Sequence, residues 1–472
     1  MPSGVTHAVG DVAIPAPRPP LELKEQHREA PQAEPAPGGG RYLPVAAKFW
    51  ISTTAAVTWM AFSVWLSLPW LEQLAQLTGL AFAVAVIALI AWAPGWLVAF
   101  LAVSLLLDRQ PPLPARTPTP PVTIIVAAYN EAAGIAGTLA CIARQDYAGP
   151  VRVILADNAS TDGTADIARR AAADTGMTLS VVREERRGKS HALNTALAHV
   201  GSELVVTLDA DTLLHPLALR QLVARLHAAP SDVGAVAGSV LVRNSRASFW
   251  ARLQEWDYFL GIASVKRMQG LYQGTLVAQG AFSLYRTVAV RSAGGWPDAI
   301  GEDIVLTWRM LSNERRVYFE PLAVAFTDVP TGFRHFARQR ARWARGMIEG
   351  LRAVPPWRQP YPMTKVVTST NLLIPLLDLA YTLVWLPGLV LALFGHYWIV
   401  GPYTAFVLPL TLLVNWLLYR YQHRAVFGRL NLRIRKNVTG FVAYVLLFQM
   451  IMSPVALMGY TQELLGLRRR WK

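Results

Sequence analysis

Two aspartates separated by one residue follow a short apolar run in the middle of the chain. Glu203 to Leu208 has the composition of a buried strand, and Asp209-Ala-Asp211 comes directly after it. Carboxylates at positions i and i+2 beyond a strand can share a hard cation, and Mg²⁺ typically binds one or two carboxylates together with phosphate oxygens. The pair therefore predicts that Asp209 and Asp211 hold Mg²⁺ or Mn²⁺ against a diphosphate, with a simple acidic turn as the alternative.

A second acidic pair, Glu302-Asp303, precedes the helical pattern from Ile304 to Met310. The helix dipole favours negative charge at a helix N-terminus, and this alone would account for the pair. A carboxylate here could instead act as a general base, because sugar transfer with inversion needs a group that takes the proton from the acceptor hydroxyl. We predict that Asp303 is this base and that Glu302 tunes it.

Polar residues also follow two other predicted strands. The strand from Val122 leads into Tyr129-Asn130-Glu131, and the strand from Val151 leads into Asp157. Ligands of open α/β sheets bind at the carboxyl ends of strands, where Asp157 could accept hydrogen bonds from a base or ribose. The alternative for Tyr129-Asn130-Glu131 is an ordinary strand that is followed by polar residues without a function. Ser160 and Thr161 are predicted to cap the next helix.

The segment from Arg186 to Ser190 is similar to the end of a phosphate-binding P-loop. That motif needs a glycine five residues before Gly188, and Arg183 stands there, so a P-loop is excluded. Lys189 could still meet a phosphate as a point charge. A solvated surface lysine is the alternative.

The basic stretch from Phe333 to Arg352 contains Gln339-Arg-Ala-Arg342-Trp343. Its spacing predicts one helix face that carries Phe336, Gln339, Trp343 and Gly346. Arg342 could grip a phosphate bidentately, and Trp343 offers a flat surface for a sugar ring. The remaining arginines suit an interfacial helix against anionic lipid, and membrane anchoring is the alternative for the whole helix.

The composition indicates a membrane protein, because 53% of the residues are apolar and 16 are tryptophan. The net charge of +15 is compatible with nucleic acid, anionic lipid or a phosphorylated substrate, but no zinc-finger, homeodomain or RNA-binding signature is present. Membrane lipids and a nucleoside diphosphate are therefore the expected partners, and nucleic acid is not. The lone Cys141 requires no oxidising compartment, so we expect the soluble part to be cytosolic.

Two apolar segments, Ala46 to Leu71 and Gly79 to Leu107, are each long enough for a helix to cross about 30 Å of hydrocarbon. They follow residues 1–45, whose Pro- and Ala-rich composition predicts a disordered tail rather than a signal peptide. After a Pro-rich linker, residues 122–329 alternate short β-branched runs with helical stretches. This alternation predicts a soluble domain with a parallel α/β sheet.

Residues 330–365 are predicted to form interfacial amphipathic helices, and about three membrane segments follow within residues 370–460. These segments are Leu372 to Gly395, His396 to Leu418 and Phe441 to Tyr460, followed by a basic tail at 461–472. The basic loop Tyr419 to Lys436 is cytosolic by the positive-inside rule, and a third crossing would send the basic tail outside, so one segment could be re-entrant. Asp378, which is costly in lipid, is predicted to face a pore or a helix interface, or to lie at a helix end.

In their order and spacing the motifs resemble the family 2 processive glycosyltransferases, which include bacterial poly-β-1,6-N-acetylglucosamine, cellulose, hyaluronan and chitin-oligosaccharide synthases. The resemblance is carried by Tyr129-Asn130-Glu131, Asp157, Gly188-Lys189, Asp209-x-Asp211, Glu302-Asp303 and Gln339-x-x-Arg342-Trp343. It spans about Val122 to Gly350, and the flanking apolar segments extend it to most of the chain. The wording of the motifs is most similar to the poly-N-acetylglucosamine synthase branch.

This resemblance implies an α/β fold of the GT-A type inserted between transmembrane helices. It implies a UDP-sugar donor, with UDP-N-acetylglucosamine favoured, and a growing polysaccharide that leaves through the membrane helices of a bacterial inner membrane. A small accessory membrane subunit is a further implied partner. Tyr129, Glu131 and Asp157 would surround the uridine, with Lys189 beside the nucleotide. Asp209 and Asp211 would hold the diphosphate and its metal, Asp303 would be the base, and Gln339, Arg342 and Trp343 would organise the acceptor.

The chain departs from the family pattern at two positions. Asn158 stands where many members have a second aspartate, and Gly301 stands where many have threonine. Neither change removes a carboxylate with an assigned role. Two other activities stay open: transfer of a single sugar to a membrane lipid, as in ceramide glucosyltransferases with a similar Gln-x-x-Arg-Trp ending, and a non-catalytic membrane scaffold or transporter that binds nucleotide.

Overall fold

The computed structural model of the chain describes residues 43–467, except residues 111, 112, 115, 402, 434 and 435. The predicted N-terminal tail therefore lies outside the described residues up to residue 42. The first helices of the described part are α1 (Val45–Leu66), α2 (Leu68–Thr78), α3 (Leu80–Ile87) and α4 (Ala93–Leu106). A π-helical turn, Ala88–Trp92, joins α3 and α4 into one helix of 27 residues.

Helix α1 stops short of Leu71, where the first apolar segment was predicted to end. Ser67 closes the helix, and Pro69 occupies the first turn of α2. Proline lacks an N–H group and its ring clashes with the carbonyl four residues earlier, so it is tolerated in the first turn of a helix and not in its interior. The apolar run is therefore split into two helices.

The next part of the chain forms one sheet. Its strands are β1 (Val122–Ala128), β2 (Val151–Asp157), β3 (Leu179–Arg183), β4 (Leu204–Asp209), β5 (Leu213–Leu214), β6 (Val233–Val242), β7 (Phe282–Arg286) and β8 (Arg316–Thr327). Their order in the sheet is β3-β2-β1-β4-β7-β6-β8-β5. β1 runs parallel to both β2 and β4. Because the chain leaves β1 towards one side and returns to β4 on the other, a crevice forms outside the carboxyl ends of these strands.

The sheet is mixed, so the prediction of a parallel sheet is wrong for its second half. β7 runs antiparallel to β4 and β6, and β5 runs antiparallel to β8. The chain reaches β7 at the edge where β4 ends, since the amide of Asp209 donates a hydrogen bond to the carbonyl of Ala281 just before β7. A strand that starts where its neighbour ends runs in the opposite direction.

Helices cover both faces of this sheet. They are α5 (Ile135–Ala143), α6 (Thr164–Asp174), α7 (Lys189–Leu197), α8 (Ala218–His227), α9 (Phe249–Trp256), α10 (Ala263–Leu271), α11 (Thr287–Ser292), α12 (Glu302–Ser312) and α13 (Phe333–Ala353). Successive residues of a strand point to opposite faces. Ile124 accordingly packs in one core with Leu139 of α5, while Ile125 packs in the other core with Trp308 of α12.

The C-terminal part is helical. Its helices are α14 (Pro362–Ala380), α15 (Leu386–Leu393), α16 (Tyr403–Gln422) and α17 (Val438–Leu464), and a π-helical turn, Tyr381–Trp385, joins α14 to α15. Within the described residues, four helices are long and apolar enough to cross a bilayer: Val45–Leu66, Leu80–Leu106, Pro362–Leu393 and Val438–Leu464. Helix α16 corresponds to the predicted segment 396–418, whose crossing stays a prediction.

Asp378 lies inside the long helix formed by α14 and α15, and not at a helix end. Its buried carboxylate accepts hydrogen bonds from Ser453 (2.7 Å), Tyr460 (2.8 Å) and Gln449 (3.4 Å) of α17. These donors offset the cost of removing the carboxylate from water. Asp378 is therefore a contact between two apolar helices, which was one of the predicted alternatives.

A buried ionic cluster ties the apolar helices to the sheet. Asp108, just after α4, pairs with Arg267 of α10 and accepts a hydrogen bond from Tyr421 of α16 at 2.6 Å. The guanidinium of Arg267 also lies 4.7 Å from the centre of the Tyr421 ring. The side chain of Asp108 is fully buried, so its charge depends on these partners.

Loss of one member of this cluster should destabilise the chain far more than loss of one member of a surface pair. Arg267→Met leaves the buried Asp108 carboxylate without its guanidinium, a change that costs about 3–5 kcal/mol. Arg169→Met is the matched control, because Arg169 and Asp166 form a pair whose side chains are 58% and 71% exposed, and such pairs contribute about 0–1 kcal/mol. Thermal unfolding in detergent should show the larger drop in melting temperature for Arg267→Met. Equal drops would contradict the structural role of the buried pair.

Candidate functional site

The predicted nucleotide-binding residues lie along one edge of the sheet. Asp157 ends β2 and Asp209 ends β4, and both strands are in register with β1, which Tyr129 follows. Tyr129 is half-buried, and the guanidinium of Arg187 lies 5.8 Å from its ring centre. Asp157 is buried and lies 3.9 Å from Arg183. The carboxyl ends of β1, β2 and β4 thus present a ring and two carboxylates to the same crevice.

Asn158, one of the departures from the family pattern, shapes the loop before α7. Its side-chain oxygen accepts a hydrogen bond from the amide of Gly188 (2.8 Å), and its side-chain nitrogen donates to the carbonyls of Glu184 (3.1 Å) and Arg186 (2.7 Å). An aspartate could not make the two donated bonds. Asn158 therefore holds the backbone from which Lys189 enters the crevice.

The predicted cap of α6 by Ser160 and Thr161 is wrong. Gly163 occupies the N-cap position with a φ of 81°, and the first amide of the helix, that of Thr164, donates a hydrogen bond to Asp162 (3.1 Å) and not to Ser160 or Thr161. Ser160 Oγ instead accepts a hydrogen bond from the amide of Asn130 (3.0 Å), and the amide of Thr161 donates to the Asn130 side chain (2.9 Å). These bonds lock the loop after β2 to the loop after β1, so both form one wall of the crevice.

An ammonium group lies between the two acidic motifs. Lys189 Nζ is 2.5 Å from Asp209 Oδ1 and 3.9 Å from Glu302 Oε1. Burial lowers the pKa of Lys189, but the charges of Asp209 and Glu302 outweigh burial and raise the pKa above its ordinary value. Lys189 is therefore not a solvated surface lysine, and it joins the motif after β4 to the motif at the start of α12.

The two carboxylates at the start of α12 have different surroundings. Glu302 is buried, and burial, followed by the negative charge of Asp303, raises the pKa of Glu302 above its ordinary value. Asp303 is half-buried and accepts hydrogen bonds from the amides of Gly280 (3.3 Å) and Ile304 (2.9 Å). Glu302 is thus the more enclosed of the two carboxyl groups, while backbone donors orient the carboxylate of Asp303.

Gly280 lies where Lys189 and Glu302 approach each other, and it belongs to none of the sequence motifs. A Cβ atom on Gly280 would lie 2.8 Å from Lys189 Nζ and 3.6 Å from Glu302 Oε1. The neighbouring Gln279 donates a hydrogen bond to the carbonyl of Gly238 (2.7 Å), which holds this segment against the sheet. No local pattern in the sequence signals this glycine, because Lys189 and Glu302, the residues that approach it, lie far away in the chain.

Asp211 has the surroundings of a cation ligand. Burial, followed by the charges of Asp209 and Glu131, raises its pKa to about 6, and its hydrogen bond from the Thr212 hydroxyl is long, at 3.4 Å. Carboxylates crowded in this way are stabilised by a divalent cation. No group of three or more His, Cys, Asp or Glu side chains within the described ranges forms a complete cation site. Asp209 and Asp211 can supply carboxylate oxygens to a divalent cation.

Helix α13 packs directly on Gly301, which precedes Glu302 and Asp303 at the start of α12. A Cβ atom on Gly301 would lie 2.6 Å from the Cα atom of Gly346, and the amide of Gly301 donates a hydrogen bond to the buried Glu349 (2.9 Å). Gly301, the second departure from the family pattern, is needed for this approach. The contact unites the second acidic motif with the helix that bears the Gln-x-x-Arg-Trp motif.

The side chains of that motif differ in exposure. Gln339 is half-buried, Trp343 is 37% exposed, and Arg342 is exposed. Arg342 makes no hydrogen bond or ion pair with the other predicted site residues in the part of the chain that the structure describes. The prediction that the remaining arginines face lipid is wrong for Arg340 and Arg345, which are buried.

The domain is similar to known sequences. Residues 120–346 match a family model described as glycosyltransferase like family 2. The chain is 31% identical over 231 residues to the poly-beta-1,6-N-acetyl-D-glucosamine synthase of Staphylococcus aureus strain COL, and 30% identical over 231 residues to that of Staphylococcus epidermidis. Each alignment covers 49% of this chain and 55% of the relative. The chain thus spans about half the length of the curated relatives it matches.

A solved structure extends the comparison to the apolar helices. The mannosyltransferase from Pyrobaculum calidifontis in complex with GDP-Man and Mn²⁺ superimposes with a TM-score of 0.57 and 25% sequence identity. The superposition covers 82% of this chain and 99% of the mannosyltransferase chain. The predicted GT-A fold is therefore confirmed, with a mixed rather than a parallel sheet.

The contact between Gly301 and Gly346 should not tolerate a methyl group. Gly301→Ala places a Cβ atom 2.6 Å from the Gly346 Cα atom, and such overpacking costs about 1–3 kcal/mol, or roughly 2–10 °C in melting temperature. Gly201→Ala is the control, because a Cβ atom there meets nothing within 4 Å. Thermal unfolding of both variants checks the prediction. Equal melting temperatures for Gly301→Ala, Gly201→Ala and the wild-type chain would contradict the contact between Gly301 and Gly346 of α13.

Proposed function

We propose, from the family 2 glycosyltransferase domain that residues 120–346 form, that this chain is an inverting glycosyltransferase that adds sugars from a UDP-sugar to a β-linked polysaccharide. One observation carries the proposal. Lys189 bridges Asp209, at the end of β4, and Glu302, at the start of α12. Helix α13 packs on Gly301, next to Glu302. A diphosphate-binding group, a base and an acceptor-binding helix would thereby share one crevice.

The donor nucleotide is proposed to bind at the ends of β1 and β2. The half-buried ring of Tyr129 can stack on a base, and the buried carboxylate of Asp157 can accept hydrogen bonds from a base or ribose. Glu131 follows in the same loop, and Lys189 supplies positive charge for the diphosphate. This assignment follows the rule that ligands of open α/β sheets bind where the strand order reverses.

Asp209 and Asp211 are the proposed ligands of Mn²⁺ or Mg²⁺. The mannosyltransferase that shares the fold was solved with Mn²⁺, and the crowding of Asp211 by other carboxylates favours a cation here. When bound, such a metal neutralises charge on the departing diphosphate. Asp209 also keeps Lys189 at the same side of the crevice, so that the chain itself contributes one cation to the site.

Asp303 is the proposed general base. The acceptor hydroxyl oxygen bonds to the anomeric carbon from the face opposite the diphosphate, the bond from that carbon to the diphosphate oxygen breaks, and UDP leaves with the electron pair. The hydroxyl proton passes to the Asp303 carboxylate, whose orientation is set by the amides of Gly280 and Ile304. Attack from the opposite face inverts the anomeric carbon.

The acceptor is proposed to meet the helix that packs on the base. Gln339 and Arg342 supply hydrogen-bond donors for the acceptor and the diphosphate, and the exposed part of Trp343 supplies a flat surface for a sugar ring. The contact of Gly346 with Gly301 sets the distance from this helix to Asp303.

The favoured donor is UDP-N-acetylglucosamine and the favoured product is an exported polysaccharide, because the staphylococcal relatives are poly-N-acetylglucosamine synthases. The domain is proposed to face the cytosol of a bacterium, with the apolar helices in the inner membrane forming the exit route. A small accessory membrane subunit is a proposed partner of these helices.

A second candidate function is single transfer from a different nucleotide sugar to a membrane lipid. The mannosyltransferase that shares the fold was solved with GDP-Man, which favours a GDP-sugar as the donor in this case. The donor would then be GDP-Man and the acceptor a lipid within the bilayer.

One experiment decides between these functions. The full chain in lipid nanodiscs is incubated with Mn²⁺ and radiolabelled UDP-N-acetylglucosamine, UDP-glucose or GDP-Man in separate reactions, and nucleotide release and product size are measured. We expect UDP release and a polymer ladder with UDP-N-acetylglucosamine. Lipid carrying one sugar would replace the polymerase proposal with single transfer. Absence of nucleotide release from every donor would overturn both.

Replacement of the proposed base should stop turnover without weakening donor binding. In Asp303→Asn the amide cannot take the hydroxyl proton, so kcat should fall by about 10²–10⁴-fold while the dissociation constant for UDP stays near wild-type. Asp298→Asn, an exposed aspartate in the preceding loop, is the control. Initial rates and UDP titration measure both quantities. Unchanged kcat in Asp303→Asn would remove the base assignment.

Replacement of Asp211 should remove the metal dependence of nucleotide binding. Asp211→Asn keeps the size of the side chain but loses its charge, so Mn²⁺ should no longer strengthen UDP binding, and the affinity should fall by about tenfold or more. Asp166→Asn on the exposed face of α6 is the control. Titration calorimetry with UDP, in Mn²⁺ and in EDTA, makes the comparison. A variant that still binds UDP more tightly with Mn²⁺ would disprove the ligand role.

A further inference from the structure

One arginine of α13 is enclosed by aromatic rings. The side chain of Arg340 is 3% exposed. Its guanidinium carbon lies 4.3 Å from the centre of the Trp343 ring, 5.3 Å from that of Phe336 and 5.7 Å from that of Tyr258. Phe448 of α17 lies 5.9 Å away on another side. A cation within about 6 Å of an aromatic face is attracted by the ring quadrupole, so Trp343 is held by the guanidinium closest to it.

The counter-charge comes from outside α13. A π-helical segment, Asp257–Ile262, joins α9 to α10, and Asp257 Oδ2 lies 2.7 Å from Arg340 Nη2, with both side chains less than a tenth exposed. A Cβ atom on Gly261 would lie 2.9 Å from Asp257 Oδ1 and 3.1 Å from the Tyr444 hydroxyl. Gly261 thus leaves room for the carboxylate. π-helical segments are frequent at functional sites.

Trp343 is supported on one side and open on another. Its ring contacts Arg340 and the tilted ring of Tyr258, whose centre is 6.2 Å away, yet 37% of the side chain is exposed. A ring with a buried support and an exposed surface is suited to stacking a sugar. The guanidinium that supports it forms an ion pair with Asp257.

We propose that Arg340 and Asp257 are positioning residues that set the Trp343 ring for the acceptor sugar. The proposal rests on the glycosyltransferase function proposed above. Arg340 is buried and acts on the acceptor only through the ring. A planar guanidinium stacks on an indole face, whereas the compact ammonium of lysine keeps the charge but not the plane. The role is therefore specific to arginine.

Arg345 provides the matched control on the same helix. Its side chain is 8% exposed and lies 3.1 Å from Glu463 of α17, so it is also a buried, ion-paired arginine. No aromatic ring packs on its guanidinium among the residues that the structure describes. Arg345→Lys therefore reproduces the loss of a buried guanidinium without altering the support of Trp343.

The first test observes the ring directly. The full chain is labelled with 5-fluorotryptophan in nanodiscs, and the Trp343 resonance is assigned by its loss in Trp343→Phe. We expect Arg340→Lys and Asp257→Asn to shift or broaden this resonance and Arg345→Lys to leave it in place. An unchanged Trp343 resonance in Arg340→Lys would overturn the inference, whether or not the chain is active on the donors tried.

The second test separates positioning from folding. With a β-1,6-linked N-acetylglucosamine oligosaccharide as acceptor, Arg340→Lys should raise the acceptor KM about tenfold, with kcat at saturating acceptor and the UDP-sugar KM within about twofold of wild-type. Arg345→Lys should leave the acceptor KM unchanged. Equal changes in acceptor KM for both variants would show that Arg340 is only structural and would overturn its positioning role. Lack of turnover in the wild-type chain would instead count against the proposed function, and the resonance experiment would still decide the inference.

Discussion

The ammonium group of Lys189 is the interaction on which the site depends. It lies between Asp209 and Glu302, two carboxylates from distant parts of the chain that would otherwise repel each other in a poorly hydrated crevice. The surrounding backbone is adapted to it: Gly280 has no side chain at the point of closest approach. Asn158 holds the loop from which Lys189 enters. Gly280 and Asn158 thus allow the ammonium group of Lys189 to lie between the two carboxylates.

Helix α13 is the element through which this site communicates with the apolar helices. Gly346 and Glu349 fix it to Gly301, at the start of the helix that carries Asp303, and Arg345 pairs with Glu463 of the last apolar helix. These contacts connect the start of α12 to α17.

Many of the site residues could be predicted from the sequence, because each motif consists of residues that are close together in the chain. A polar residue after a β-branched run lies at the end of a strand, and the ends of neighbouring parallel strands meet at one edge. The sequence thus predicts Tyr129, Asp157 and Asp209 at the carboxyl ends of strands, and Glu302-Asp303 at the start of a helix. The roles assigned to these residues stay predictions.

The sequence by itself determined the apolar helices, the first strands and the acidic motifs, because hydropathy and periodicity depend on neighbouring residues. Only the tertiary structure decided which way β7 runs, why Gly301 must be glycine, and why Arg340 and Arg345 are buried. These features arise from contacts between residues far apart in the chain. Gly280 lies beside Lys189, and Arg340 pairs with Asp257 of another helical segment. Neither contact leaves a pattern in neighbouring residues, because each forms only when the elements pack together.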